Sequence, residues 1–206
     1  MAKKTYGKKK KPEKPEEQKT DAHEIFTARR LIIFFATLEI LIILLMYPTY
    51  RGRRHMNLAK TAAAKKEFEK AYKHYKWLGQ NTPAAESATY HLELGNVCMG
   101  LKKFEEAAGH FKIVVEKTEA QEGSNSLVGL AYIGLGNTGE ARKYFRKELE
   151  KFPTDHHANY NLGKIAFEEK KYTEATAYFS RVAFLPEYKN ALRPYWRTLE
   201  KEVLQK

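Results

Sequence analysis

The stretch His157-Ala158-Asn159-Tyr160-Asn161-Leu162-Gly163-Lys164-Ile165-Ala166-Phe167, followed by Lys171-Tyr172-Thr173-Glu174-Ala175, Phe179 and Pro186, decides the fold. Its pattern recurs three times upstream. Leu127-Val128-Gly129-Leu130-Ala131-Tyr132 leads to Gly136-Asn137-Thr138-Gly139-Glu140-Ala141, Phe145 and Pro153. Leu94-Gly95-Asn96-Val97-Cys98 leads to Phe104-Glu105-Glu106-Ala107 and Phe111. Leu58-Ala59-Lys60-Thr61-Ala62 leads to Phe68-Glu69-Lys70-Ala71, Tyr75 and Pro83. The recurring alanines 71, 107, 141 and 175 are 36, 34 and 34 residues apart. A fixed period of this size marks stacked supersecondary units that bury a continuous core only against one another.

Each unit reads as two short helices. The Gly and Ala stand where helices cross closely and a larger side chain would clash, and the aromatic four residues after each Ala fills the space between units. Proline at the end of a unit stops its second helix. This pattern resembles the tetratricopeptide repeat, over roughly residues 52–189. The resemblance implies an all-α helical-hairpin solenoid with repeats at about 52–85, 88–121, 122–155 and 156–189. The departures are Ala59 where Gly is usual, Glu119 in place of the proline, and Pro186 one residue early. Beyond the fourth repeat, Leu192, Trp196, Leu199 and Val203 put one apolar face on a helix from Asn190 to Gln205, which reads as a C-terminal cap over residues 190–206.

Upstream of the repeats the composition changes. Residues 31–47 read LIIFFATLEILIILLMY, in which only Thr37 and Glu39 are not apolar. At 1.5 Å per residue they span roughly 26 Å, near the hydrocarbon thickness of a bilayer. No polar stripe is present, as a buried soluble helix would show. Arg29 and Arg30 flank one end, Arg51, Arg53 and Arg54 the other, Tyr47 and Tyr50 suit an interfacial belt, and Pro48 is expected to end the helix. No small-residue cleavage site follows closely, so residues 25–50 read as an uncleaved single-pass anchor. Residues 1–24, with Lys3, Lys4 and Lys8 to Lys11, read as a solvated basic tail that, with the other basic flanks, meets membrane lipid. A dense basic tail translocates poorly, which favours a cytoplasmic N-terminus and repeats on the far side, the arrangement of a bacterial inner-membrane protein with a periplasmic domain. Glu39, mid-span, is a candidate contact for a partner transmembrane helix.

The chain has 206 residues, 37 Lys or Arg against 25 acidic residues, and one cysteine, Cys98. That excludes an intrachain disulfide framework and a Cys-rich zinc site. The seven histidines are scattered without a His-x-x-x-His pair, and no Gly-rich phosphate loop is found, so no enzyme chemistry, metal or cofactor is expected. Residues 56–206 hold 24 Lys or Arg interspersed with 19 acids, which argues against nucleic acid.

What the resemblance implies instead is a concave groove lined by the first helix of each repeat. Here that means Leu92, Asn96 and Met99, then Ser126, Leu130 and Ile133, then Tyr160, Asn161, Lys164 and Phe167. Such a groove suits an amphipathic helix or extended apolar peptide. Clamping of a C-terminal carboxylate, as in chaperone-docking members, is disfavoured, because only Asn96, Asn161 and Lys164 stand at comparable places. The expected role is a membrane-anchored protein–protein scaffold or adaptor in an envelope assembly of pilus, flagellar or secretion type. The alternatives are a holdase or translocon-associated quality-control factor, and an organelle-surface import receptor.

Overall fold

The computed structural model describes residues 22–203. The expected basic tail up to Asp21, and the end of the expected capping helix from Leu204, lie outside them. The chain divides into two units, one ending at Tyr47 and one beginning at Pro48. All regular structure among the described residues is helical: α1 (Ala22–Ala64), α2 (Phe68–Asn81), a short 3-10 turn (Pro83–Glu86), α3 (Ala88–Gly100), α4 (Phe104–Lys117), α5 (Ser124–Gly134), α6 (Thr138–Lys151), α7 (His156–Glu168), α8 (Tyr172–Ser180) and α9 (Pro186–Val203).

In the first unit every residue from Leu31 to Tyr47 is exposed, Leu45 at 66% and Ile32 at 67%. Among the described residues this is one helix long and apolar enough to cross a membrane, by length and composition. Pro48 does not end it: the helix runs through Pro48 to Ala64. Proline removes one N–H and so leaves the carbonyl four residues back without its helical partner, which does not by itself stop a helix whose flanks keep their bonds on both sides.

In the second unit the helices pair in sequence order. The four repeated aromatics, Tyr75, Phe111, Phe145 and Phe179, are each 0% exposed, as are the four alanines four residues before them. Each phenylalanine faces the glycine of the first helix of its own repeat. A Cβ on Gly95 would stand 2.5 Å from Phe111, and one on Gly163 2.5 Å from Phe179. The absence of a side chain thus sets the helix spacing, and each buried ring contributes about 2–3 kcal/mol of apolar transfer.

The turns inside the repeats are built alike. Lys66, Lys102, Gly136 and Lys170 all take left-handed backbone, with φ of 58°, 58°, 73° and 60°. The next residue's N–H closes back on the preceding helix, as in Lys103 N to Cys98 O at 2.9 Å and Lys171 N to Ala166 O at 2.9 Å. The junction lacking its proline differs: Glu119 and Ala120 carry φ of 51° and 56°, and Lys151 Nζ donates to the Glu119 carbonyl at 2.6 Å. The terminal helix α9 begins at Pro186, four residues before the expected start, because a proline is well accommodated in a first helical turn. Its Tyr188, Leu192 and Leu199 are buried against α7 and α8.

Candidate partner-binding face

The first helices of the repeats carry the predicted groove residues, and the structure sorts these into three groups. Asn96 is exposed. Leu92, Met99, Leu130 and Ile133 are half-buried: one side of each packs on the core and the other remains accessible. Lys164 is also half-buried, its Nζ 5.8 Å from the Tyr160 ring centroid. Side chains in this state can bury more area against a partner without leaving their own rotamers.

Two of the predicted residues are committed internally. Ser126 is 1% exposed and donates its hydroxyl to Asp155 Oδ1 at 2.8 Å. Asn161 is 7% exposed and donates to the His157 carbonyl at 2.8 Å. Tyr160 and Phe167 are half-buried and meet α9. Tyr160 lies 4.9 Å from Tyr188, and Phe167 lies 5.0 Å from Tyr195 and 5.6 Å from Tyr172, centroid to centroid. The terminal helix therefore covers part of the aromatic end of the face.

Sequence reasoning missed the polar joint at the other end of the third repeat. Glu148 is 0% exposed and accepts from Gly123 N at 2.6 Å and Asn125 N at 2.9 Å, satisfying the free donors at the start of α5. Burial pushes its carboxyl above the usual range, and the nearby Asp155 adds to this, while the backbone donors oppose it. Asp155 in turn accepts from Ala158 N at 2.7 Å and so caps α7. A signal was present: Glu148 occupies the place held by Leu78, Val114 and Val182 in the other repeats.

A cavity of about 450 Å³ opens in the first repeat, between Pro48, Gly52, Arg53 and Met56 of α1 and Leu78, Thr82 and Pro83. It is within the size range of ligand sites and has mostly apolar walls. Cys98 is fully buried, and burial pushes its thiol up to about 11, so it packs as a small apolar group. No group of three or more His, Cys, Asp or Glu among the described residues is placed to hold a metal.

The tetratricopeptide-repeat family profile matches residues 51–122 and 129–191. The chain belongs to the tetratricopeptide-repeat family. Solved structures agree on the fold. A MamA protein superposes with a TM-score of 0.59 at 16% identity, covering 75% of this chain and 91% of that one. A double mutant of MamA from RS-1 gives 0.58 at 17%, covering 67% and 76%. YrrB, described as a TPR protein with an unusual peptide-binding site, gives 0.51 at 21%, covering 65% and 68%. No curated protein matches the sequence. As a tetratricopeptide-repeat solenoid, the chain is a protein–protein interaction scaffold.

Proposed function

We propose that the protein is a membrane-anchored adaptor. Residues 25–50 hold it in the bilayer, and the half-buried Leu92, Met99, Leu130, Ile133 and Lys164, with the exposed Asn96 among them, receive an amphipathic helix or peptide of a partner in an envelope assembly. The observation that carries this reading is the exposure of every residue in the apolar run 31–47, in the same chain as a repeat solenoid whose Leu92, Met99, Leu130 and Ile133 remain partly exposed. Water does not tolerate an apolar surface of that extent, and lipid does. Anchoring raises the local concentration of the solenoid, so modest affinity in the groove suffices. The dense basic stretch before the span supports a cytoplasmic N-terminus with the repeats across the membrane, and Glu39 offers a hydrogen-bonding contact to a neighbouring transmembrane helix.

Photocrosslinking in intact membranes tests the reading, with probes at Asn96 and Leu130 and a control at exposed Lys147. One dominant adduct at the two probe sites and none at the control is the expected result. A broad smear of adducts would favour a holdase, and adducts equal to the control would sink the groove. Resistance to alkaline extraction tests the anchor separately, and release of the full chain into the soluble fraction would overturn it.

A further inference from the structure

The histidines that look scattered in the sequence meet in pairs. His55 Nδ1 of α1 stands 3.1 Å from His74 Nδ1 of α2. His91 Nδ1 of α3 stands 3.0 Å from His110 Nδ1 of α4. Both pairs bridge the two helices of one repeat, both span 19 residues, and both members recur 36 residues apart in register. His156 and His157 open α7 with ring centroids 4.4 Å apart, and His157 Nδ1 lies 3.2 Å from the Tyr188 hydroxyl of α9. Six of the seven histidines are thus each beside another histidine.

Hydrogen bonding fixes how many protons such a pair holds. His91 Nε2 faces the Ala85 carbonyl at 2.9 Å, and a carbonyl only accepts, so Nε2 carries the hydrogen. The Nδ1 of neutral His91 is then a lone pair that accepts from His110 Nδ1–H. A proton added at His110 Nε2 preserves that bond. A further proton on His91 sets two N–H groups head to head and two positive charges side by side.

The surroundings disfavour charge as well. Burial lowers His110, His91 and Lys76 push the same way, and Glu106 opposes. Burial lowers His55, with His74, Arg51 and Arg54 adding to it. Its ring also stacks at 3.8 Å on Trp77, whose ring the Arg51 guanidinium approaches at 5.0 Å.

We propose that the two interhelical imidazole pairs make the solenoid an acid-responsive module, in which protonation between about pH 7.5 and 5 loosens the α1–α2 and α3–α4 hairpins together. A histidine lowered in the folded state binds its proton more readily when unfolded. The stability it contributes is complete above the ordinary value of 6.5 and is lost as pH falls through the folded value. Glu67, Glu106, Glu140 and Glu169 are held below 4.5, so their own losses begin only below that pH. Glu148, raised, acts in the opposite direction, its linked stability being lost as pH rises through its folded value.

The test uses the full chain in detergent, with urea unfolding midpoints at about pH 7.5 and 5 and histidine side-chain NMR titrations. The wild-type midpoint is expected to fall on acidification, and the double variant H74Q/H110Q to lose less than half as much. His55 is expected to titrate at higher pH once His74 is gone. An equal fall in wild type and double variant, or wild-type His55 and His110 titrating at the ordinary value, would overturn the proposal. Should the double variant not fold, the wild-type titration decides alone.

Discussion

Phe145 lies against the helix that carries Gly129, so close that a Cβ on the glycine would stand 2.6 Å from the ring's Cε1. The ring is fully buried and cannot retreat. Gly129→Ala is therefore expected to lower stability by about 1–3 kcal/mol through overpacking, although alanine is the better helix former. Gly109, inside α4, has nothing within 4 Å of the same position. Gly109→Ala is expected to raise stability by about 0.5–1 kcal/mol. Urea midpoints of the two variants should move in opposite directions.

That contact also shows why the fold was legible. Glycine, alanine and an aromatic at fixed offsets can recur three times only if the same crossing recurs, and the structure builds that crossing at Gly95, Gly129 and Gly163. The face was less legible. Ser126 and Asn161 stand at plausible groove positions, yet side-chain bonds to Asp155 and to the His157 carbonyl draw them inward. Those partners are 29 and four residues away, and spacing alone does not report which way a polar side chain turns. The histidine pairs were hidden for a related reason: a separation of 19 residues is contact only once the hairpin is folded.

Lysines at left-handed positions give a second prediction. Lys102 has φ of 58°, the conformation that Gly136 adopts at the matching place. The left-handed region costs a residue with a Cβ roughly 1–2 kcal/mol. Lys102→Gly should recover about 1 kcal/mol, less the extra entropy of a glycine in the unfolded chain. Gly136→Ala should lose a similar amount. Thermal midpoints in matched buffer read both.

Glu148 supports a third. Replacing it with alanine strands the N–H groups of Gly123 and Asn125 at the start of α5 and should cost about 1–3 kcal/mol. Because burial raises this carboxyl above 4.5, the stability linked to its protonation is complete below that value and is lost as pH rises through the folded value. In Glu148→Gln that part of the stability-against-pH profile should flatten. Urea midpoints between about pH 4 and 7 would show it, and an unchanged slope would mean that the carboxylate is not the group responsible.

Cys98 offers a probe of local opening. With the thiol fully buried and pushed up to about 11, disulfide reagents at about pH 8 should modify the native protein only as fast as α3 opens. Labelling in urea should be immediate. Rapid labelling of the native protein would mean that the second repeat opens readily.

The last prediction concerns how neighbouring repeats fit. Phe68 opens α2, and a Cβ on Gly100 of α3 would meet its ring at 2.7 Å. Phe104 opens α4 and meets Gly134 of α5 in the same way. At the third junction the opening residue of α6 is Thr138, and the matching place on α7 holds Glu168, which is exposed. Ring and glycine thus occur together, and both are absent together, as one steric unit would require. Thr138→Phe alone places a ring against a full side chain and should be neutral or unfavourable. Glu168→Gly alone should cost up to about 1 kcal/mol of helix propensity. Combined, they recreate the junction present twice upstream, and a double-mutant cycle should return a favourable coupling of about 0.5–3 kcal/mol. Simple additivity would mean that the two upstream glycines answer to something other than the ring that faces them.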